Sequence, residues 1–250
     1  MRLDQYLVIK HYYSTRTKAQ DAIKASAVSV DGTIITKSNF DVSDTCTITI
    51  LKDVHPFVSR GGIKLDHAIK SFQLDFKNKI ILDIGASTGG FTDCSLEHGA
   101  KLVYAIDVGT NQLDDRLKQK REIVLMEQTN ILDLYELPTQ VDFIVMDVSF
   151  VSIEKMLPAI DRFLTLENAF VCLIKPQFEV GKKYFKNGVI KDKSIHLKVL
   201  RQVADVLASY QMGIAKLIPS PILGGSGNKE FLALIKRNVV SQINLLEVCR

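Results

Sequence analysis

At 250 residues the chain is long for one compact domain and short for two full-sized ones, which fits an ordinary α/β domain with a small appendage. Its 46% hydrophobic and 24% charged residues exclude disordered and collagen-like classes, and no run approaches the roughly 20 uninterrupted apolar residues of a spanning helix. A net charge of +4 permits a nucleic-acid partner without demanding one, because its distribution counts for more than its sum.

In chain order, Met1-Arg2-Leu3-Asp4-Gln5-Tyr6 carries an acid and no apolar block, unlike a secretory signal. Leu3, Leu7 and Val8 at helical spacing predict a first short helix. A second should start near Ser14, a good N-cap, and run through Thr17, Ala19, Ala22 and Ile23. Val28-Ser29-Val30, the turn Asp31-Gly32 and Ile34-Ile35 predict a hairpin, and Thr45 to Leu51 a last strand. These elements make a small α+β domain over residues 1–52, with a linker at 53–58. From residue 59 to 250 the pattern alternates. A helix is expected over Gly62–Phe72, and strands over Ile80–Ile84, Leu102–Asp107, Ile123–Met126, Phe143–Asp147, Ala169–Ile174, Gly213–Leu217 and Glu230–Ile235. Such alternation predicts a Rossmann-like, doubly wound sheet of seven mostly parallel strands with helices on both faces. The cysteines Cys46, Cys94, Cys172 and Cys249 form no CxxC pair and no Cys/His cluster. Neither a disulfide framework nor a metal site is therefore expected, and a reducing cytoplasm suits the chain.

The strand Ile80-Ile81-Leu82 runs into Asp83-Ile84-Gly85-Ala86-Ser87-Thr88-Gly89-Gly90, with a helix expected from about Phe91. Glycines let the backbone approach a ligand, and a helix start offers free N–H groups. Asp107, at the end of the next strand, is placed for ribose hydroxyls. The spacing Gly85-x-Ser87-x-Gly89 is not the dinucleotide fingerprint, which argues against a nicotinamide cofactor. Asp83 beside the loop suits a cationic cofactor such as a sulfonium; a tight turn without a ligand is the plainer alternative.

Two segments are basic. Arg2, Lys10, Arg16, Lys18 and Lys24 face only Asp4 and Asp21, with Tyr6, His11, Tyr12 and Tyr13 among them, which suits phosphate contact and stacking. Lys182, Lys183, Lys186, Lys191 and Lys193 carry only Asp192 as counter-charge and follow a strand end. In both cases a merely solvated surface is the competing reading.

Taken together, the motifs resemble the TlyA (haemolysin A) family of bacterial rRNA 2′-O-methyltransferases, whose catalytic domain is FtsJ-like. Arg2-Leu3-Asp4, Arg16-x-x-Ala19-Gln20 and Val28-x-Val30-Asp31-Gly32 are similar to the S-four RNA-binding domain. Val58-Ser59-Arg60-Gly61-Gly62-x-Lys64-Leu65, Asp83 to Thr92, Asp107-Val108-Gly109-x-x-Gln112-Leu113, Asp147-Val148-Ser149-Phe150, Lys175-Pro176-Gln177-Phe178-Glu179 and Gly227-Asn228-x-Glu230 follow in family order. The chain departs from the pattern at Ser26-Ala27, where a glycine is usual, at Asp31-Gly32 in place of Asn-Gly, and at Gln128 and Leu132, where arginines are expected.

The resemblance implies S-adenosylmethionine as cofactor, met by Asp83, Gly85, Ala86, Ser87, Gly89, Gly90, Phe91, Asp107, Val108 and Asn130. It implies ribosomal RNA in subunits or ribosomes as partner, touched by Arg2, Lys10, Arg16, Lys18, Lys24, Arg60, Lys182 and Lys183, with cytidine ribose as the methyl acceptor. It also implies a catalytic tetrad, Lys64, Asp147, Lys175 and Glu230. The chemistry makes sense of those residue types. A 2′-hydroxyl needs its proton removed, the sulfonium methyl is already activated, and positioning with a base suffices without a metal. Lys175 is the candidate base; Lys64 and burial favour its neutral amine, while Asp147 and Glu230 oppose it and orient the lysines and the hydroxyl. Singly, each residue also has a plain structural reading as cap, surface lysine or ion-pair partner. Two other functions compete: a non-catalytic RNA-binding factor of ribosome assembly, and a membrane-active haemolysin, for which no amphipathic membrane helix is found.

Overall fold

A computed structural model describes residues 1–13, 15–52, 56–180, 188–224 and 226–249. The chain divides into two compact units, Met1–Ser59 and Arg60–Arg250.

In the first unit, helices α1 (Leu3–Ile9) and α2 (Arg16–Lys24) pack on a three-stranded sheet of β1 (Val28–Val30), β2 (Thr33–Ile34) and β3 (Ile48–Ile50), in the order β2-β1-β3. The apolar stripes of the helices and the inward side of β1 close one core of Leu3, Leu7, Ala19, Ala22, Ile23, Val28 and Val30. The hairpin turn falls on Asp31 and Gly32, both with positive φ, as a two-residue turn between twisted strands requires. The expected N-cap Ser14 lies outside the described residues; Thr15 is the N-cap, its hydroxyl accepting from Lys18 N at 3.3 Å.

The second unit is built on seven strands: β4 (Ile80–Ile84), β5 (Leu102–Ile106), β6 (Ile123–Met126), β7 (Phe143–Met146), β8 (Ala169–Ile174), β9 (Met212–Pro219) and β10 (Phe231–Arg237). Their order is β6-β5-β4-β7-β8-β10-β9. The first five pair in parallel, and β10 runs antiparallel to both its neighbours. Among the helices are α3 (Arg60–Phe72), α4 (Gly90–Glu97), α5 (Asp115–Lys118), α6 (Ile153–Phe163), α7 (Pro176–Glu179), α8 (Lys193–Ser209) and α9 (Leu245–Val248). The central strands read as unbroken apolar runs because helices cover both faces; β8 is buried at every residue. The chain winds outward in one direction from β4 to β6 and in the other from β7 to β8. The switch point, where ligands settle in such sheets, thus lies beyond the carboxyl ends of β4 and β7. No helix among the described residues is long and apolar enough to cross a membrane.

Candidate active site

Four elements, β7, β8, β10 and α3, bring the four tetrad positions to that edge. Asp147 directly follows β7 and Lys175 directly follows β8, and these strands pair through Met146 and Cys172, so both side chains leave the sheet side by side. Glu230 directly precedes β10, whose Phe231 pairs with Ile174. Lys64 lies on the buried stripe of α3 with Leu65, Ala68, Ile69 and Phe72, an unusual face for a lysine.

The four residues form two close pairs. Lys64 Nζ donates to Glu230 Oε2 at 2.6 Å, with 7% and 3% of the two residues exposed. Lys175 Nζ lies 2.6 Å from Asp147 Oδ1 as an ion pair and donates its directional hydrogen bond to Ser149 Oγ at 2.8 Å. Gln177 Nε2 donates to the other oxygen of Glu230 at 3.3 Å. A buried charge left without a partner is strongly unfavourable, so each pair holds both its members in place. Lys175 Nζ also sits 5.8 Å from the ring centroid of Phe178, which in turn packs at 5.0 Å against Phe150. Phe150 is 91% exposed and has φ 67°, a conformation that bulky residues adopt only where the surroundings impose it.

The loop after β4 leaves the sheet beside the end of β7. Asp83 is fully buried; Thr92 Oγ1 donates to its Oδ2 at 2.6 Å, and its Oδ1 is buried without a hydrogen-bond partner. Burial first, and then the nearby charge of Asp147, push its carboxyl up to about 7 against the Thr92 hydrogen bond. An orphaned buried carboxylate oxygen beside a sheet switch point fits a cationic ligand group. Gly89, at φ 91°, is the N-cap of α4, and a Cβ there would lie 2.3 Å from Leu117 Cδ1. Ala86 and Phe91 are buried, and Gly90 is the first residue of α4. Asp107 ties the loop down, its Oδ2 accepting from Ser87 N at 2.8 Å and its Oδ1 from Gly109 N at 2.7 Å. Val108 beside it is mostly exposed. Asn130 caps a short 3₁₀ turn, Ile131–Asp133, by accepting from Leu132 N. In the segment that departs from the family pattern, Glu127 accepts from Gln112 N at 3.0 Å and Gln128 Nε2 donates to Thr110 Oγ1 at 3.0 Å.

Ser149, Gln177 and Thr92 stand inside the motifs, but what they do shows only in contacts that span separate elements. Asn228 is similar: it accepts from Ile190 N at 2.9 Å and donates to Gly188 O at 2.7 Å, anchoring the residues two places before Glu230. The expectation of no Cys/His cluster is corrected. Asp66, Cys94 and His98 bring their donor atoms within 4.8 Å of one another, since Cys94 and His98 are one helical turn apart and face α3. That four-residue spacing was the available signal. Both Asp66 oxygens are already engaged, by His98 Nε2 at 2.8 Å and by Lys70 Nζ at 2.7 Å, and burial raises the Cys94 thiol far above its ordinary range.

Of the expected RNA contacts, Lys182 and Lys183 lie outside the described residues. Arg60 donates to Leu223 O at 2.8 Å. In the first unit, Arg2 and Arg16 converge on Asp4, Nε to carboxylate at 3.0 and 2.9 Å, and Gln20 adds a third contact at 2.7 Å. Burial opposes the charge on Asp4, but these hydrogen bonds hold its carboxyl well below the usual range. Both arginine side chains remain nearly half exposed. Lys10 pairs with Asp44 at 3.0 Å, while Lys18 and Lys24 lie on α2.

Residues 57–237 match the FtsJ-like methyltransferase family, and residues 1–45 match the S4 domain. The chain is 42% identical to hemolysin A of Brachyspira hyodysenteriae, over 93% of this chain and 98% of that protein. It is 36% identical to the 16S/23S rRNA (cytidine-2′-O)-methyltransferase TlyA of Mycobacterium tuberculosis, over 94% and 89% of the two chains. A solved Streptococcus thermophilus structure described as a hemolysin superposes with a TM-score of 0.80 at 38% identity, covering 100% of this chain and 94% of that one. A buried carboxylate at the switch point, two lysine–carboxylate pairs above it and an S4 domain ahead of them thus have one context: the chain belongs to the TlyA (hemolysin A) family of FtsJ-like methyltransferases.

Proposed function

We propose that this protein transfers a methyl group from S-adenosylmethionine to the 2′-hydroxyl of a cytidine in ribosomal RNA, with Lys175 as the base. The observation that carries the reading is the pair of nearly buried contacts, Lys64 with Glu230 and Lys175 with Asp147, at the carboxyl edge of the sheet. The substrate follows from the Mycobacterium tuberculosis relative, whose name states that chemistry, and from the S4 domain.

When bound, S-adenosylmethionine supplies an already activated methyl group. Asp83 would hold its cationic end and Asp107 its ribose, with Gly85 to Phe91 forming the rest of the loop that would hold it. From its neutral form, Lys175 Nζ takes the proton of the 2′-hydroxyl, and the ammonium so formed is the partner that Asp147 stabilises by charge. Lys64, fixed by Glu230, orients the acceptor oxygen. Phe150 offers an exposed ring on which the base of an unpaired nucleotide stacks.

Lys175→Ala is expected to abolish transfer to ribosomal subunits prepared from cells lacking the modification, while cofactor affinity by calorimetry stays within about three-fold of wild type, because a group acting on the proton alone adds nothing to ground-state binding. Near-normal turnover by that variant removes Lys175 from the role. Mapping 2′-O-methyl positions in rRNA with and without the protein identifies the nucleotide.

A further inference from the structure

The base reading leaves open how the Lys175 amine is aimed. The 2.6 Å contact with Asp147 Oδ1 lacks hydrogen-bond geometry; it places the nitrogen and, once the amine is neutral, favours a hydrogen rather than the lone pair on the carboxylate side. A base needs more. A neutral amine has four tetrahedral directions: the bond to Cε, two hydrogens and one lone pair, and only the lone pair accepts a proton. A directional hydrogen bond from Nζ to Ser149 Oγ at 2.8 Å takes one hydrogen; with the other on the Asp147 side, the remaining direction is left to the lone pair.

Ser149 suits the task in three ways. It stands two residues after Asp147, beyond β7, and so beside the end of β8 that carries Lys175. The left-handed turn at the next residue, Phe150, fixes the course of the backbone just after it. A hydroxyl accepts without bringing charge, whereas a second carboxylate at that place would favour the protonated lysine, which has no lone pair.

We infer that Ser149 is a positioning residue of this enzyme, whose hydroxyl turns the Lys175 amine so that its lone pair faces the acceptor hydroxyl. The inference rests on Lys175 being the base. Ser149 is exposed, so shortening its side chain leaves the fold intact.

The test compares wild type, Ser149→Ala, Ser149→Thr and Lys175→Ala on unmethylated ribosomal subunits, with cofactor affinity and thermal midpoint measured beside kcat and KM. Ser149→Ala should lower kcat roughly 10- to 100-fold, the scale set by misorientation of a reacting group, with KM and cofactor affinity within about two-fold of wild type. Ser149→Thr, which keeps the hydroxyl, should recover most of the rate. An alanine variant with wild-type kcat, a loss that falls on KM or cofactor binding, or a threonine variant as slow as alanine each overturns the inference. An active Lys175→Ala overturns instead the base assignment beneath it, and that result is distinct from a fast Ser149→Ala beside an inactive Lys175→Ala.

Discussion

The Asp83 and Glu179 carboxyls keep their protons to higher pH than free side chains do. Burial pushes the Asp83 carboxyl from 3.8 to about 7, and burial, aided by the charge of Glu154, pushes Glu179 from 4.5 to about 7. In both cases the folded chain binds a proton that the unfolded chain has lost, so stability must fall as pH rises from the unfolded values to about 7. Thermal midpoints of the free protein should therefore decline across that window, and Asp83→Asn and Glu179→Gln should each flatten part of the decline. The same carboxyl gives a second readout. A cationic cofactor favours ionised Asp83, so its affinity should rise up to about tenfold per pH unit below pH 7 and level off above it. Calorimetry over that range would show a flat profile if Asp83 stood apart from the cofactor. At this scale the sequence was informative about residue identities and silent about partners. Asp83, Lys64 and Lys175 could each be named from their motifs. That Lys175 would reach Ser149, or Asp66 reach His98, depends on two elements meeting, which no local pattern encodes.

Among the elements, the central strands and α3 were the most legible, because continuous apolar runs and a helical stripe express burial directly. The short pieces were not. The four-residue helices α5, α7 and α9 are too short to show periodicity, and only α5 has a side-chain N-cap, Asp114 accepting from Arg116 N. The start of α6 shows why: its N-cap Ser152 makes no side-chain cap, and the free N–H of Ile153 is met at 3.0 Å by Glu179 from another element. The start of α4 is tightly constrained from outside as well. Gly89→Ala would place a methyl group 2.3 Å from Leu117 Cδ1 and 2.7 Å from Leu113 Cδ1 on a backbone at φ 91°. We expect it to destabilise the protein by about 1–3 kcal/mol in denaturant melts, with cofactor binding weakened alongside.

For the molecule as a whole, each unit closes its own core, with Leu3, Leu7 and Ile23 among the buried residues of one and Leu82, Ile144 and Phe170 among those of the other. Removal of residues 1–51 should accordingly weaken binding to ribosomal RNA while the remainder still binds S-adenosylmethionine; unchanged RNA affinity in a gel-shift titration would refute that division of labour. The alternating pattern announced a mostly parallel sheet, but strand order was not readable from it. Nothing local says that β10 inserts between β8 and β9 in the opposite sense. That insertion has a consequence in time. Lys64 and Glu230 stand 166 residues apart, and β8 gains its second neighbour only when β10 has left the ribosome. During synthesis the five parallel strands are complete in sequence before β10 emerges, so the loop after β4 is expected to be framed before Lys64 can meet Glu230.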